Sequence, residues 1–517
     1  MTIRTRFAPS PTGFQHVGNI RTALFAYLVA RHGNGTFILR LEDTDKNREV
    51  EGAANHLVKT LQTLNIEWDE GFQKGGPHAP YIQSERLAIY RRWAQKLIDA
   101  GRAYADPYTP EQVQAFREQA QAIKQPFLYR NHRPEDPPAW DGTMPLRFKS
   151  EPRAYTWHDA VMGTLSTGPE VIDDFILFKS DGFPTYNFCH IVDDAEMAVT
   201  HIIRGQEFIS SMPNYLNLYE ALGYDMAQAP NLKTDAQNDS TTVASGGEAP
   251  LVNLLREQAE GRAPLPVFAH MPHILNEQGN KKLGKRDGAK DILDYIREGF
   301  LPETMMSFIA TLGWNDGTEQ EVFTKDELIA KFSLDRVQRS GARFDEKRLL
   351  WMNGQFIRGL DSDDLYARVE TFWPDSAKNA DPTYQKSVLM LVQDRLKTLA
   401  DLPLLTDYFF TEPRENWALV TENKQLKKLE RSEITSIIQT THDSLATLTD
   451  WTPETLQARL NDLLATTGHK PAILFGLIRV VTTWAPFSPQ LHDTLALLGR
   501  EQTLSRLNAA LASSHAQ

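Results

Sequence analysis

Hydrophobic positions in the first hundred residues alternate between short apolar runs and a helical spacing. The run "TIRTRFA" predicts a strand, and "TFILRLED" predicts a second one. Each run is followed by apolar residues three or four positions apart, first Ile20, Ala23, Leu24, Tyr27 and Leu28, then Val50, Ala53, Leu57, Leu61 and Leu64. This order predicts a parallel α/β sheet whose ligands lie at the carboxyl ends of the strands, where "APSPTG" and "EDTD" fall.

The pattern changes twice further along the chain. Turn-rich stretches such as "HRPEDPPAWDG" and "FKSDGFP" predict an inserted subdomain, after which "VTHIIRGQEF" predicts a strand and "SSMPNYLNLYEALG" a helix with serine caps. Residues 228–264 are rich in small and polar residues and predict a surface insertion. After Gly299 helical spacing dominates to the end, which predicts an all-helical region.

Composition narrows the class of protein. A chain of 517 residues is too long for one ordinary core, so we expect several domains. The net charge of −12 argues against a protein that coats nucleic acid indiscriminately, and any such partner must meet local basic patches. The single cysteine, Cys189, excludes an intrachain disulfide and makes structural zinc unexpected. Without a signal-peptide pattern or a membrane-length apolar run, we expect a cytoplasmic protein with no membrane partner.

Two stretches carry candidate phosphate chemistry. "PTGFQHVGN" leads through glycines into a helix beginning near Gly18, where free backbone N–H groups and a donor from His16 could hold phosphates. "NKKLGKRDGAKD" gathers Lys281, Lys282, Lys285 and Arg286 around a glycine, as a loop closing over a triphosphate would. A strand-to-helix turn and a solvated basic loop are the alternatives. Neither stretch is a P-loop or a dinucleotide fingerprint.

A family resemblance covers residues 1 to about 360 and is weaker beyond. The segments occur in the order "RFAPSPTGFQHVGN", "RLEDTD", "GGPHAPYIQSER", "FKSDGFPTYNF", "VDD", "IIRGQE", "KKLGKR" and "LLWMNGQFI". This order resembles that of bacterial glutamyl-tRNA synthetases, which are class I enzymes. "HVGN" is similar to their His-Ile-Gly-His signature and "KLGKR" to their Lys-Met-Ser-Lys-Ser signature.

The resemblance implies an α/β fold with a Rossmann-like parallel sheet, an inserted acceptor-binding subdomain and a helical anticodon-binding region. The implied domains are 1–104 and 186–298 for the two catalytic halves, 105–185 for the acceptor-stem insertion, 299–375 for a helical stem-contact domain and 376–517 for the anticodon domain. The implied partners are ATP with Mg²⁺, L-glutamate and tRNA-Glu, bound by a monomer. The substrate carboxylate itself attacks ATP in such enzymes, so catalysis is mainly positioning and charge stabilisation.

Site residues follow from the same resemblance. Glutamate brings two carboxylates and one ammonium, so its pocket needs two cations and an anion. The implied glutamate residues are Arg6, Pro9, Ser10, Pro11, Glu42, Tyr186, His190 and Arg204. The implied ATP residues are His16, Gly18, Asn19, Glu207, Ile274, Lys282, Leu283, Lys285 and Arg286. Of these, His16, Gly18, Lys282, Lys285 and Arg286 are the catalytic candidates, and Arg395 is the implied anticodon residue.

Some features depart from the family pattern or leave choices open. Gly284 replaces the usual serine of the basic loop, His190 stands where some relatives carry Asn, and Gln206 replaces an acidic residue. His270 and His273 have a spacing that a metal could use, but two ligands are too few, and we expect a loop beside the nucleotide. No metal site is expected. The alternatives are an enzyme that also charges tRNA-Gln, a shortened tRNA-modifying relative and an inactive tRNA-binding paralogue.

Overall fold

The computed structural model describes residues 2–14, 16–45, 48–228, 263–284 and 290–514. These residues form two compact units. The first comprises residues 1–294 and 305–346, and the second comprises residues 295–304 and 347–517. The greater part of the predicted insertion 228–264 lies outside the described residues.

The first unit is built on a seven-stranded sheet in the order β3-β2-β1-β9-β12-β6-β7. Its strands are β1 (Arg4–Phe7), β2 (Thr36–Leu39), β3 (Glu70–Gly71), β6 (Tyr155–Asp159), β7 (Gly163–Thr167), β9 (His201–Gly205) and β12 (Val267–Met271). All neighbours pair in parallel except β6 and β7, which form an antiparallel pair. The predicted parallel α/β sheet is therefore confirmed.

The other described strands of this unit form three smaller sheets. A three-stranded antiparallel sheet joins β4 (Ala103–Ala105), β5 (Leu146–Phe148) and β8 (Ile176–Phe178). Two parallel pairs join β10 (Asp225–Gln228) to β11 (Pro264–Leu265), and β13 (Ile274–Leu275) to β14 (Ala342–Arg343). Strands β6 and β7 fall inside the predicted insertion 105–185 yet extend the main sheet, because their apolar faces pack into its core.

Helix α1 connects the parallel strands β1 and β2 as a crossover. In the described part of the first unit the helices are α1 (Val17–His32), α2 (Ala53–Thr63), α3 (Leu87–Asp99), α4 (Pro110–Ala122), α5 (Tyr186–Glu196), α6 (Met212–Ala221), α7 (Ile292–Arg297), α8 (Pro302–Ala310) and α9 (Lys325–Lys331), of which α7 and α8 cross the unit boundary. Helix α1 is buried around most of its circumference, because it packs against β1, β2, β9 and α9.

Two details of these helices differ from the sequence prediction. Val50 precedes helix α2 and is 39% exposed, so it does not belong to the buried helical face. Helix α6 starts after Ser211, whose side chain makes no capping hydrogen bond, and Pro213 at the second helical position favours the start instead. Both differences arise at helix ends, where propensity is a weak guide.

The second unit is helical in its described part. Its helices are α10 (Glu346–Gly359), α11 (Ser362–Arg368), α12 (Pro382–Val392), α13 (Leu402–Phe410), α14 (Ala418–Thr421), α15 (Arg431–Ala446), α16 (Pro453–Thr467), α17 (Pro471–Thr483), α18 (Leu491–Leu498) and α19 (Arg500–Ser514). One apolar core lies among α10 to α13, and a second among α12 to α19. None of the helices in the described ranges is both long and apolar enough to span a bilayer.

Candidate active site

A cavity of about 320 Å³ opens at the carboxyl ends of β1, β9 and β12. Strand β1 continues to β2 on one side and pairs with β9 on the other, so the cavity lies at the point where strand order reverses. Its lining contains Arg6, Pro9, Ser10, His16, Gly18, Asn19, Glu42, Tyr186, Arg204, Glu207, Ile274 and Lys282 from the sequence prediction. The fold thus brings together residues that are more than 250 positions apart.

Three predicted residues are described but lie outside this lining: Pro11, His190 and Leu283. The carbonyl of Pro11 accepts a hydrogen bond from the backbone N–H of Val50 (2.8 Å), which ties the loop after β1 to the loop after β2. Leu283 is buried and its N–H donates to the carbonyl of Ile274 (2.8 Å). Lys285 and Arg286 lie outside the described residues.

The turn into helix α1 carries His16 at the N-cap position. Its Nδ1 accepts a hydrogen bond from the backbone N–H of Gly18 (3.1 Å). The sequence predicts a donor at His16, and the structure adds a second role, in which Nδ1 is the acceptor that caps the helix. In the neutral ring an acceptor Nδ1 leaves the proton on Nε2, so Nε2 is the atom that can donate.

Arg204 comes from β9 and is 5% exposed. Its guanidinium lies over the rings of Phe208 and Tyr215, with its central carbon 5.2 and 5.0 Å from the two ring centroids. Among the described residues its buried Nη1 has no hydrogen-bond partner. An uncompensated buried donor costs free energy, so a cavity carboxylate is a fitting partner for it.

Arg6 and Glu42 both have partners within the protein. Arg6 Nε donates to Asp194 Oδ1 (3.0 Å), and Arg40 Nη2 donates to Glu42 Oε1 (2.9 Å). Arg40 also donates to Asp194 Oδ1 (2.7 Å) and lies 3.6 Å from Asp193. The predicted pocket cation and anion are therefore parts of a buried network of alternating charges.

Burial and charge act differently on the carboxyls of this network. Burial raises the pKa of Glu42 to about 7, against the opposing effect of Arg40 and Arg6. The pKa of Asp194 is lowered to about 2, because Arg6 and Arg40 together outweigh the effect of its burial. Sequence reasoning missed Arg40, Asp193 and Asp194 as site residues. The signal for them was present in "RLED" and "VDD", which place charges in otherwise apolar elements.

Tyr186 opens helix α5 and lines the cavity, with its ring centroid 4.8 Å from that of His190. His190 is 1% exposed, and neither ring nitrogen has a hydrogen-bond partner among the described residues. Burial, with a further effect from Arg204, lowers the pKa of His190 well below its usual value. His190 is thus a neutral ring packed behind Tyr186.

The cavity lining also includes Asn19, Glu207, Ile274 and Lys282. Lys282 Nζ lies 3.8 Å from Glu207 Oε1, and both side chains are about half exposed. The cavity is therefore lined by an apolar side chain, a flexible cation and the positive N-terminus of α1, which together suit a nucleotide with its phosphates.

Comparison with known proteins agrees with this architecture. The family model for the catalytic domain of class I tRNA synthetases (E and Q) matches residues 2–252 and 258–351, and an anticodon binding domain model matches residues 364–511. A glutamate–tRNA ligase of Chloroflexus aurantiacus is 36% identical over 99% of this chain and 98% of its own length. The chain belongs to the glutamate–tRNA ligase family.

Other members of the family are similar over the whole length. The glutamate–tRNA ligase of Clostridium botulinum is 35% identical, with 98% of both chains covered. The crystal structure of a glutamate tRNA ligase from Elizabethkingia meningosepticum, in complex with its amino acid, is 29% identical, covers 99% of this chain and superposes with a TM-score of 0.82.

Two further residues of this synthetase lie where sequence reasoning did not place them. His270 was expected in a loop, but it belongs to strand β12 and is fully buried. Arg21, in helix α1, lines the cavity and donates to the carbonyls of Leu312 (3.1 Å) and Pro272. Its position among apolar helix residues was the available signal, since a buried arginine needs fixed partners.

Arg395 of the synthetase is exposed at the end of a short helical turn, residues Gln393–Arg395. It lies within the range matched by the anticodon binding domain model. Its positive charge acts on Tyr408, whose raised pKa it opposes. The position is compatible with contact to a nucleic acid, but no described contact assigns it a role.

Proposed function

We propose that the protein joins L-glutamate to the 3′ end of tRNA-Glu at the expense of ATP. The observation that carries the proposal is the buried, unpartnered Nη1 of Arg204 in the same cavity as the N-terminus of helix α1. The first feature suits a side-chain carboxylate and the second suits phosphates. The activity of its relatives, glutamate–tRNA ligase, requires both substrates to meet in one site.

In the first step a carboxylate oxygen of glutamate forms a bond to the α-phosphorus of ATP, and the bond to the bridging oxygen of pyrophosphate breaks. His16 Nε2, Gly18 and Lys282 lie on the cavity wall where the phosphates would bind. Their donors and positive charge would stabilise the charge that moves onto pyrophosphate. Lys285 and Arg286 have the same role in the proposal, on the strength of the "KLGKR" motif alone.

Glutamate would be oriented by its charges. Arg204 Nη1 would donate to the side-chain carboxylate, and the ionised Glu42 would attract the ammonium. Arg6 holds the network through Asp194 and contributes positive charge at the cavity wall. Pro9 and Ser10 would complete the wall on this side, with Glu42 held near them by its N–H bond to the Pro9 carbonyl (3.0 Å).

In the second step a ribose hydroxyl of the terminal tRNA adenosine attacks the acyl carbon, and AMP leaves. The proposal assigns the acceptor end of the tRNA to residues 105–185 and the anticodon to residues 376–517, with residues 299–375 contacting the stem between them. Arg395 would read the anticodon. A monomeric state and a cytoplasmic location stay predictions.

Magnesium enters the proposal only with ATP. Among the described residues no group of three His, Cys, Asp or Glu side chains could hold a metal ion. The protein's own side chains in that part of the chain therefore do not fit a resident metal site. Mg²⁺ would arrive bound by the phosphate oxygens of the nucleotide and would neutralise part of their charge.

The deciding experiment is aminoacylation with labelled glutamate on separately transcribed tRNA-Glu and tRNA-Gln from the source organism. Charging of tRNA-Glu, dependent on ATP, is the expected result. Charging of both tRNAs would support the proposed reaction and would show that the enzyme also accepts tRNA-Gln. Charging of neither, by folded protein that still binds tRNA, would contradict the proposed activity.

A further inference from the structure

A buried carboxylate and a buried imidazole stand directly behind Arg204. Asp159 ends strand β6, His270 lies in the neighbouring β12, and both side chains are fully buried. His270 Nδ1 lies 2.6 Å from Asp159 Oδ2, and His270 Nε2 lies 3.1 Å from Arg204 Nε. The three side chains therefore form a continuous hydrogen-bonded row that ends at the cavity.

The row fixes the tautomer of His270. The Nε of Arg204 carries a proton and can only donate, so His270 Nε2 must be the acceptor. The ring proton then lies on Nδ1, where it is donated to the carboxylate of Asp159. Burial lowers the pKa of His270, which keeps the ring neutral and preserves the acceptor.

The orientation of Asp159 is itself fixed by the backbone. Its Oδ1 accepts from the N–H groups of Met162 (2.8 Å), Val161 (3.0 Å) and His270 (3.2 Å). Three donors converge on one oxygen, so the other oxygen always faces the imidazole. The carboxylate of Asp159 therefore fixes the orientation of the His270 ring, and the ring in turn fixes the orientation of the Arg204 guanidinium.

The other contacts of Arg204 leave one atom for a ligand. Its Nε is occupied by His270, and its Nη2 points at Met212 Sδ (2.8 Å). The faces of the guanidinium are covered by Phe208 and Tyr215. Nη1 alone is without a partner in the described part of the chain, and rotation of the group would break the bond to His270.

We propose that Asp159 and His270 are positioning residues that turn Arg204 so that Nη1 faces the glutamate side chain. The inference rests on the proposed function, because it needs glutamate as the ligand of Arg204. It adds a specificity determinant that touches no substrate. A glutamate carboxylate meets a donor held in one orientation, and a neutral side chain in its place would leave that donor's charge unbalanced.

Asp159→Asn tests the row with almost no change of shape. The three backbone N–H groups would hold the amide oxygen at the Oδ1 position, so the amide NH₂ would face His270 Nδ1. The ring proton would then move to Nε2, so that two N–H donors, one from His270 and one from Arg204, would face each other with no acceptor between them. We expect the KM for glutamate in aminoacylation to rise roughly 10- to 100-fold, and the KM for ATP to stay within about twofold.

Two substitutions of His270 provide the matched pair. Gln can place its amide oxygen where Nε2 stands, whereas Leu has similar bulk and no acceptor. We expect His270→Leu to raise the KM for glutamate as Asp159→Asn does, and His270→Gln to recover most of the loss. The ¹⁵N shifts of His270 should show the proton on Nδ1 in the wild type and on Nε2 in Asp159→Asn.

The outcomes separate this inference from the proposed function. A wild-type protein that does not charge tRNA with glutamate contradicts the proposed function. An active wild type with an unchanged glutamate KM in Asp159→Asn overturns the inference. So does an equal rise in the KM for both substrates with a lowered Tm, or an unchanged tautomer in Asp159→Asn, because a purely structural role would give those results.

Discussion

His16 Nδ1 and the backbone N–H of Gly18 are joined by a 3.1 Å hydrogen bond at the first turn of helix α1. A Cβ added at Gly18 would lie 3.0 Å from Cε1 of the same ring. The position of the imidazole is therefore set from both sides, by the bond and by the missing side chain. The two residues act as one feature that both caps the helix and shapes the cavity wall.

Two substitutions of His16 should distinguish its capping role from its catalytic role. His16→Asn keeps a side-chain acceptor for the first turn, and His16→Ala does not. We expect the alanine variant to lose about 0.5–2 kcal/mol of stability in urea unfolding, and the asparagine variant much less. Both should lower kcat, on the order of 100-fold, because both lose the Nε2 donor. Wild-type kcat in His16→Asn would show that only the cap matters.

Arg204→Ala should weaken the binding of glutamate and leave the binding of ATP nearly unchanged. The change leaves a substrate carboxylate without its buried donor, so we expect kcat/KM for glutamate to fall on the order of 100-fold or more. The KM for ATP should stay nearly constant. Arg153→Ala is the matched control, because that arginine is 46% exposed and pairs with Glu151 and Glu220 on the surface. Equal weakening of both substrates would contradict the pocket role.

The KM for glutamate should depend on pH through Glu42, whose pKa is raised to about 7 by burial. The ionised form attracts the substrate ammonium and the protonated form does not. As pH falls from about 8 to about 6, the ionised fraction falls and KM should rise, by at most about tenfold per pH unit below the pKa. Glu42→Gln should have a high KM that is flat over the same range. A flat profile in the wild type would exclude Glu42 as the titrating group.

Lys285→Ala should lower kcat more than it raises the KM for ATP, because a cation of the "KLGKR" stretch would follow the charge that moves to pyrophosphate. Steady-state aminoacylation with varied ATP measures both constants. Lys281→Ala provides the control from the same basic stretch, since Lys281 is exposed and outside the cavity lining. Equal effects of the two substitutions would assign the stretch a general electrostatic role.

Arg395→Ala tests the anticodon assignment. If Arg395 rejects tRNA-Gln, the variant should charge that tRNA more readily, with the ratio of kcat/KM for tRNA-Glu over tRNA-Gln falling roughly tenfold. Arg414→Ala is a control at another exposed arginine of the second unit. A similar loss with both tRNAs in both variants would indicate only a general attraction to phosphates.

Hydrophobic spacing was sufficient to predict the parallel sheet, the helical second unit and the edge where the cavity opens. Those features depend on local periodicity, which is visible in one sequence. The partners of the site residues could not be predicted in the same way. Arg6, in strand β1, and Asp194, in helix α5, are 188 positions apart, and only the tertiary packing brings them together.

The positions of some single side chains were also not predictable from the sequence. His270 was expected in a loop beside the nucleotide, whereas it lies in strand β12, where burial is compatible with a histidine that has partners on both nitrogens. The capping role of His16 Nδ1 was not predicted, because residue spacing does not reveal which ring nitrogen is an acceptor.

Strand β12 pairs with β9 on one side and β6 on the other. On the ribosome it is made after both of them, at residues 267–271 of 517. A nascent chain that stops before it lacks the strand that joins β3-β2-β1-β9 to β6-β7. Such a chain already has the turn at His16, but it lacks the histidine that orients Arg204. The amino-acid pocket is therefore completed only when about half of the chain has been made, as the last central strand enters the sheet.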